Sequence, residues 1–254
     1  MLVRVIFMRI FPTILILFIS FSIHAQKLLE TPPGTLRIND SVFMDKGPVD
    51  NLMYLEFTNS VQELWSYALH DSLKSLELGN IDRSLGTHSL NENQNKEIYD
   101  RVTIAQNLEL SKEVDISTYF NHPKYRYHPV IGISKDLAEL FCEWRTDLVN
   151  LRWSKELKDS QNYKKIKYRL PTLKEYMLAK DYFEKNYKLL EIDERLPLKI
   201  DLKELRNQDK FILFNNSEFT SRDQNFREEL ITSDQANQTE EKYVFFRCIC
   251  EVEK

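Results

Sequence analysis

Glycine, cysteine and histidine are all scarce in this chain of 254 residues, which carries five, three and five of them. A surplus of positive charge is missing too: 35 basic side chains stand against 39 acidic ones, a formal net charge of −4. Without a cationic excess to neutralise phosphates, nucleic acid is excluded as the main partner. No internal repeat is visible, and no long stretch has the composition of a disordered tail. Aromatic residues make up 12% of the chain, ample for a packed core.

Long hydrophobic runs are also missing, save one. Arg4 and Arg9 precede an uncharged apolar stretch from Ile10 to Ile23, followed by His24, Ala25 and Gln26. A basic start, a short apolar middle and a small residue at the cut describe a secretory signal peptide over residues 1–25, cleaved after Ala25. The rival is a membrane anchor. The run falls short of the roughly 20 residues a spanning helix needs, and Pro12 interrupts its beginning. Cleavage leaves about 230 residues, enough for one large domain over 26–254. The expectation is an exported, acidic protein with no stable membrane span after cleavage, in the periplasm, at the outer-membrane periphery or outside the cell.

The cysteines are Cys142, Cys248 and Cys250. An odd count in an exported chain implies one bridge and a spare thiol, or an intermolecular link. "YVFFRCICEV", Tyr243 to Val252, reads as a strand with Val244, Phe246, Cys248 and Cys250 on the buried face. Neighbours on one face sit about 6.5–7 Å apart, near the upper limit for a disulfide. Cys142 is therefore the better partner for one of them. Zinc is the competing idea, but no histidine stands at ligand spacing.

Along the chain, Pro33-Gly34 marks a turn and a short strand pair surrounds Leu36 and Val42. A helix starts near Asp50 with Met53, Tyr54 and Phe57 inward and runs toward His70, and Leu78 to about Glu113 reads as a polar insertion. A second helix is capped by Ser134, with Leu137, Phe141, Trp144 and Leu148 as its apolar stripe. In "YRLPTLKEYMLA", Thr172 and Glu175 form a capping box, and Leu173, Tyr176 and Met177 fall on one side of a third helix. "FILFNNSEFTS" reads as a strand and a turn. Helices separating short strands, with long irregular connections, make the class α+β.

Five segments, in order, resemble the formylglycine-generating enzyme family, also called the sulfatase-modifying-factor domain. "PVDNLMYLEF" is similar to its first helix, with Val49, Asn51, Tyr54 and Phe57 matching. "HPVIGISKDLAELFCEWR", "YRLPTLKEYMLA", "NNSEFTS" and "FFRC" resemble its later motifs, and the likeness runs from about residue 33 to the C-terminus. "FCEWRTDLVN" is particularly similar to the branch of gliding-motility-associated lipoproteins of the type IX secretion apparatus. The resemblance implies an irregular C-type-lectin-like α+β fold. It implies a Cys142–Cys248 disulfide, with Cys250 left as a buried free thiol, and makes Arg169 an internal ion-pair partner.

Active relatives oxidise a sulfatase cysteine to formylglycine with copper held by two nearby cysteines, soft ligands that suit Cu(I). The corresponding region here, "SRDQNFREELITSDQANQTEEKYVFF", has no cysteine. Ser217 and Phe219 replace two usual tryptophans, Lys135 replaces another, and glycine, which such loops need for backbone approach to a peptide, is scarce. The reading therefore leans against an enzyme and assigns no catalytic residue. It favours a binding or assembly component with a protein partner in the cell envelope; a divergent oxidase and a glycan-binding module are the alternatives. No cofactor is expected, with calcium left open through Asn215, Asn216 and Asp223. Tyr125, Arg126 and Tyr127 read as a contact surface for a protein or a glycan. His122 and His128 lack a third ligand near in sequence.

Overall fold

A computed structural model describes residues 31–64, 92–94, 116–156, 165–186, 188–192, 202–206, 208–214, 218–221, 230–231 and 244–253. The leader, most of the polar insertion, the helix beyond Leu64, and Asn215, Asn216 and Asp223 lie outside the described residues. The unit to which the described residues belong is Thr31–Lys254.

Its centre is a four-stranded antiparallel sheet. β1 (Thr35–Arg37) and β2 (Val42–Asp45) form the expected hairpin, β8 (Ile249–Glu253) follows β2, and β3 (Lys165–Arg169) closes the far edge. The C-terminal strand thus inserts between early and middle segments: Phe43 pairs with Cys250, and Tyr168 pairs with Cys250 from the other side. Two smaller sheets join β4 (Leu189–Ile192) to β5 (Phe211–Phe214) in parallel, and β6 (Glu218–Phe219) to β7 (Leu230–Ile231) antiparallel. The helices are α1 (Asn51–Leu64), α2 (Ile116–Asn121), α3 (Lys135–Glu156), α4 (Leu173–Lys185) and α5 (Leu202–Arg206). The class is α+β with a small antiparallel sheet, as expected.

The period-two alternation of strands gives the central sheet two apolar faces. Phe43, Cys250, Val252, Ile166 and Tyr168 pack with Tyr54, Phe57 and Val61 of α1 and Phe141 and Trp144 of α3. Phe57 meets Phe141 and Trp144 edge-on, with centroids 5.7 and 5.6 Å away. Leu36, Met44 and Ile249 face the other way, onto Tyr176, Ala179 and Phe183 of α4 and Phe211 and Leu213 of β5. A third cluster gathers Tyr119, Phe120, Tyr125, Ile131, Leu202, Ile212, Phe214 and Phe245.

The helix starts behave as their sequences dictate. Ser134 Oγ accepts the Leu137 N–H at 3.2 Å, and the Thr172–Glu175 capping box is closed in both directions. Asp50 Oδ1 accepts the Met53 N–H at 2.8 Å and opens α1 in the same way.

Three expected patterns differ. Leu148 is 37% exposed; α3 buries Leu137, Phe141 and Trp144 as expected, but in its next turn the inward places are held by Arg145, Thr146, Asp147 and Asn150. Met177 is 45% exposed; α4 buries Tyr176, Ala179 and Phe183, and the next residue points about 100° away. The final strand is shorter than the expected Tyr243–Val252 and begins at Ile249. Before it, Phe245 to Cys248 are buried without alternation, because the segment crosses between clusters.

The polar side of α3 has a task in the fold. β3 is an edge strand, and an open edge leaves backbone groups without partners. Asn150 accepts the Ile166 N–H at 3.1 Å and donates to the Ile166 carbonyl at 2.7 Å. Thr146 Oγ1 accepts the Tyr168 N–H at 2.8 Å. The helix therefore seals the edge with side chains where a further strand would otherwise add.

Candidate functional site

The described residues hold two buried ionic centres, one on each side of β8. The first joins β2 to α3. Asp45, at the end of β2, accepts from Arg145 at 2.7 Å and from the Cys248 backbone N–H at 2.9 Å. Arg145 also donates to the Pro33 carbonyl at 2.7 Å and lies over the Tyr168 ring, 4.2 Å from its centroid. The turn that brings Pro33 there runs through Gly34 at φ +77, a conformation L side chains rarely adopt. Burial works to discharge Arg145, but the Asp45 carboxylate outweighs it and holds the guanidinium's pKa above its ordinary value.

The cysteines surround this pair. Cys142 lies on α3, close to one turn before Arg145, and its sulfur is 2.9 Å from that of Cys248. All three cysteines are buried thiols. The Cys142–Cys248 bridge implied by the resemblance is therefore not formed in this structure, although the two sulfurs are juxtaposed; Cys250 lies in the same core cluster. Burial pushes the Cys142 thiol well up, reinforced by its contact with Cys248. Burial likewise pushes Cys250 well up, although Arg145 acts in the opposite sense. Protonated thiols of this kind are poor nucleophiles and poor metal ligands. Among the described residues, no group of three or more His, Cys, Asp and Glu side chains could hold a metal ion. The buried Tyr168 hydroxyl has no oxygen or nitrogen partner, and the Cys250 thiol, its cross-strand neighbour, interacts with it.

The second centre is Arg247 with Glu218. Both are buried, and the guanidinium engages the carboxylate through two bonds of 2.6 Å. Tyr176 of α4 donates to Glu218 at 3.1 Å, and Arg247 also reaches the Ile212 carbonyl at 2.7 Å. The ring of Phe211 lies under the guanidinium at 4.4 Å. Arg247 is held above its ordinary pKa by Glu218 despite the opposing effect of burial, and Tyr176 is pushed well up by burial and then by Glu218. Sequence reasoning gave this pair no role. The signal was present: one arginine inside the apolar run "VFFRCIC" must bring a buried counter-charge.

Arg169 is an ion-pair partner, as expected. It bridges Glu175 of α4 at 2.6 Å and Glu251 of β8, tying the capping box to the sheet. These arrangements join elements to one another; the two arginine centres at Arg145 and Arg247 are enclosed, whereas Arg169, Glu175 and Glu251 are partly exposed. His122 and His128 also serve the fold. His122 is exposed and accepts the Lys124 N–H at 3.1 Å, whereas His128 is buried with its ring edge-on to Tyr119 and Tyr125.

The expected contact surface is corrected in part. Tyr125 is only 6% exposed, since its ring fills the third core cluster against Tyr119 and His128. Arg126 is exposed and Tyr127 half-buried.

Comparison of the chain with models of protein families, with curated proteins and with solved structures returns no match. Among the described residues, no helix is long and apolar enough to cross a membrane.

Proposed function

We propose that this protein is an exported, non-catalytic member of the formylglycine-generating-enzyme-like superfamily that acts as a binding or assembly component in the cell envelope. The observation that carries the reading is the convergence of the resembling motifs on one internal seam. The Val49 N–H donates to the Phe246 carbonyl and the Val130 N–H to the Val49 carbonyl, both at 2.9 Å. Asn51, the residue shared with the first-helix motif, donates its side-chain amide to the carbonyls of Tyr119 and Tyr125 at 3.3 and 3.0 Å. Residues that match the family thus supply contacts between segments far apart in sequence, which is what framework positions of a common fold do.

The site chemistry supports the non-catalytic side of the proposal. All three thiols are buried, burial pushes those of Cys142 and Cys250 well up, and the charged groups of both centres are already paired. Thiol oxidation or copper chemistry needs a thiolate that substrate and metal can reach. On export into an oxidising compartment, Cys142 and Cys248 join, leaving Cys250 as a free thiol. An enclosed cross-link of this kind is a stability device for a secreted chain. Proximity to gliding or type IX secretion machinery is the analogy drawn from "FCEWRTDLVN".

The test is affinity purification of the tagged chain from cross-linked envelope fractions, beside its Cys250→Ser variant. A binding component retains the same partner in both. Absence of any specific partner, together with oxidation of a cysteine peptide that disappears in Cys250→Ser, favours the divergent oxidase.

A further inference from the structure

The outward side of α4 carries an apolar stripe. Met177, Leu178 and Tyr182 are 45, 54 and 42% exposed, and they are three of the five large hydrophobic side chains exposed among the described residues. Single exposed apolar side chains are ordinary, whereas neighbours gathered on one face mark an interaction site. At about 100° per residue these three fall on the side of the helix away from Tyr176, Ala179 and Phe183, which pack on the sheet. The Tyr182 ring is held edge-on to Phe183, with centroids 5.1 Å apart. Two charges share the outward side. Lys174 and Asp181 are exposed and stand seven residues, close to two turns, apart. Among the described residues neither forms an ion pair. Met177 and Leu178 lie midway between them.

We infer that α4 is a self-docking face, on which a second copy of this chain packs its own α4 in the antiparallel sense. The pattern is self-complementary about a point between Met177 and Leu178. A two-fold axis there sets Lys174 of each copy against Asp181 of the other, and Met177 against Leu178, as an isologous interface requires. Parallel packing sets Lys174 beside Lys174 and Asp181 beside Asp181, a like-charge arrangement that selects against it. A partner segment charged with one sign fits less well, since Lys174 and Asp181 give it one attractive and one repulsive site. The contact is small. α4 has 13 residues, a length of about 20 Å, so one helix face covers less than the roughly 800 Å² per partner of a standard interface, and the association is weak and reversible. It goes beyond the binding function proposed above and does not depend on it.

The test is sedimentation of the mature protein under reducing conditions, so that no thiol cross-link counts, at concentrations up to about 1 mM, where a weak contact is populated. The native protein is compared with Lys174→Glu, Asp181→Lys, the double exchange Lys174→Glu/Asp181→Lys, and Leu178→Glu. All three positions are exposed, and an unchanged melting temperature shows each variant folded. The expected result is a concentration-dependent monomer–dimer equilibrium in the native protein, abolished by Leu178→Glu. Each single charge reversal weakens it about tenfold, since two ion pairs per dimer turn repulsive. The double exchange restores it, because each new glutamate again meets a lysine of the other copy. Rescue of this kind does not follow from a loss of apolar contact or of folding. A native protein that stays monomeric throughout overturns the inference, as does a dimer that persists in Leu178→Glu or one that the double exchange fails to restore. A monomeric native protein whose envelope partner is lost in Leu178→Glu assigns the face to that partner, which overturns self-docking and leaves the binding function standing.

Discussion

Asp45 and Arg145 meet 2.7 Å apart with side chains only 6% and 7% exposed, and the same carboxylate oxygen accepts the Cys248 N–H. One buried ion pair thus fixes the hairpin, the long helix and the approach to the last strand. Removing one partner strands the other charge in the interior, at a cost of about 3–5 kcal/mol. Arg145→Met is expected to lower the urea-unfolding free energy by that amount. Arg169→Met, whose side chain is a quarter exposed, loses only about 1 kcal/mol. Equal effects of the two substitutions would show that the pair is not the anchor described.

The sulfur pair gives a second prediction. Reduced, folded protein labels slowly with alkylating reagent at neutral pH at Cys142 and Cys250, since burial keeps their protons on. Mild oxidation joins Cys142 to Cys248, and peptide mapping finds Cys250 unpaired. The two residues lie 106 apart in sequence, so the chain-entropy model gives about 4–5 kcal/mol of added stability. A Cys248–Cys250 or Cys142–Cys250 linkage in the map would contradict the geometry.

The sealed edge of β3 can be opened with one change. Asn150→Leu fills similar space but removes both bonds to Ile166. Each orphaned backbone group costs about 1–3 kcal/mol, and the Ile166 amide is expected to exchange its hydrogen faster than in the native protein. Unchanged exchange at Ile166 would mean that the backbone finds other partners.

Acid tests the link between α4 and the sheet. Burial tends to raise the Glu175 pKa, but hydrogen bonds from Arg169 first, and then Thr172, lower it below the ordinary value. The unfolded chain therefore binds the proton more tightly than the folded one. The stabilisation is complete above the unfolded value of about 4.3 and is lost as pH falls through the folded value. Urea midpoints should drop between neutral and acid pH, and Glu175→Gln should flatten that slope. Thr172→Ala, which removes the cap, costs about 1 kcal/mol at neutral pH. A Glu175→Gln slope as steep as the native one would place the acid sensitivity elsewhere.

Much of this fold was legible where chemistry is local. Thr172 and Glu175, three residues apart, announce a helix start that the structure closes, and Ser134 does the same for α3. The strand pair around Leu36 and Val42 is found where short apolar stretches flank the polar residues Asn39 to Ser41, and the Asn39 side chain closes that turn by accepting the Ser41 and Val42 N–H groups. Long-range pairing was harder to read. Arg247 could be seen to need a counter-charge, but Glu218 lies 29 residues earlier, and although "FFRC" and "NNSEFTS" were both singled out, nothing in either segment says that they meet. Tyr125 looked like surface because its neighbours are charged, yet its ring completes a cluster drawn from α2, α5 and β5. Leu148 and Met177 were misjudged for a shared reason: apolar character was taken for inward direction, while Arg145, Thr146 and Asn150 hold the inward places on α3. The juxtaposition of Cys142 and Cys248 was expected from the family resemblance, and strand spacing alone had left Cys142's partner open.

The proposal that this chain does not oxidise cysteine is tested most directly by turnover. The mature protein, supplied with copper and a sulfatase-derived cysteine peptide, is followed by mass spectrometry for conversion of cysteine to formylglycine. The account predicts no conversion, with Cys142 and Cys248 joined in the same digest. Conversion that is abolished by Cys250→Ser would contradict it and make the buried third thiol a catalytic group.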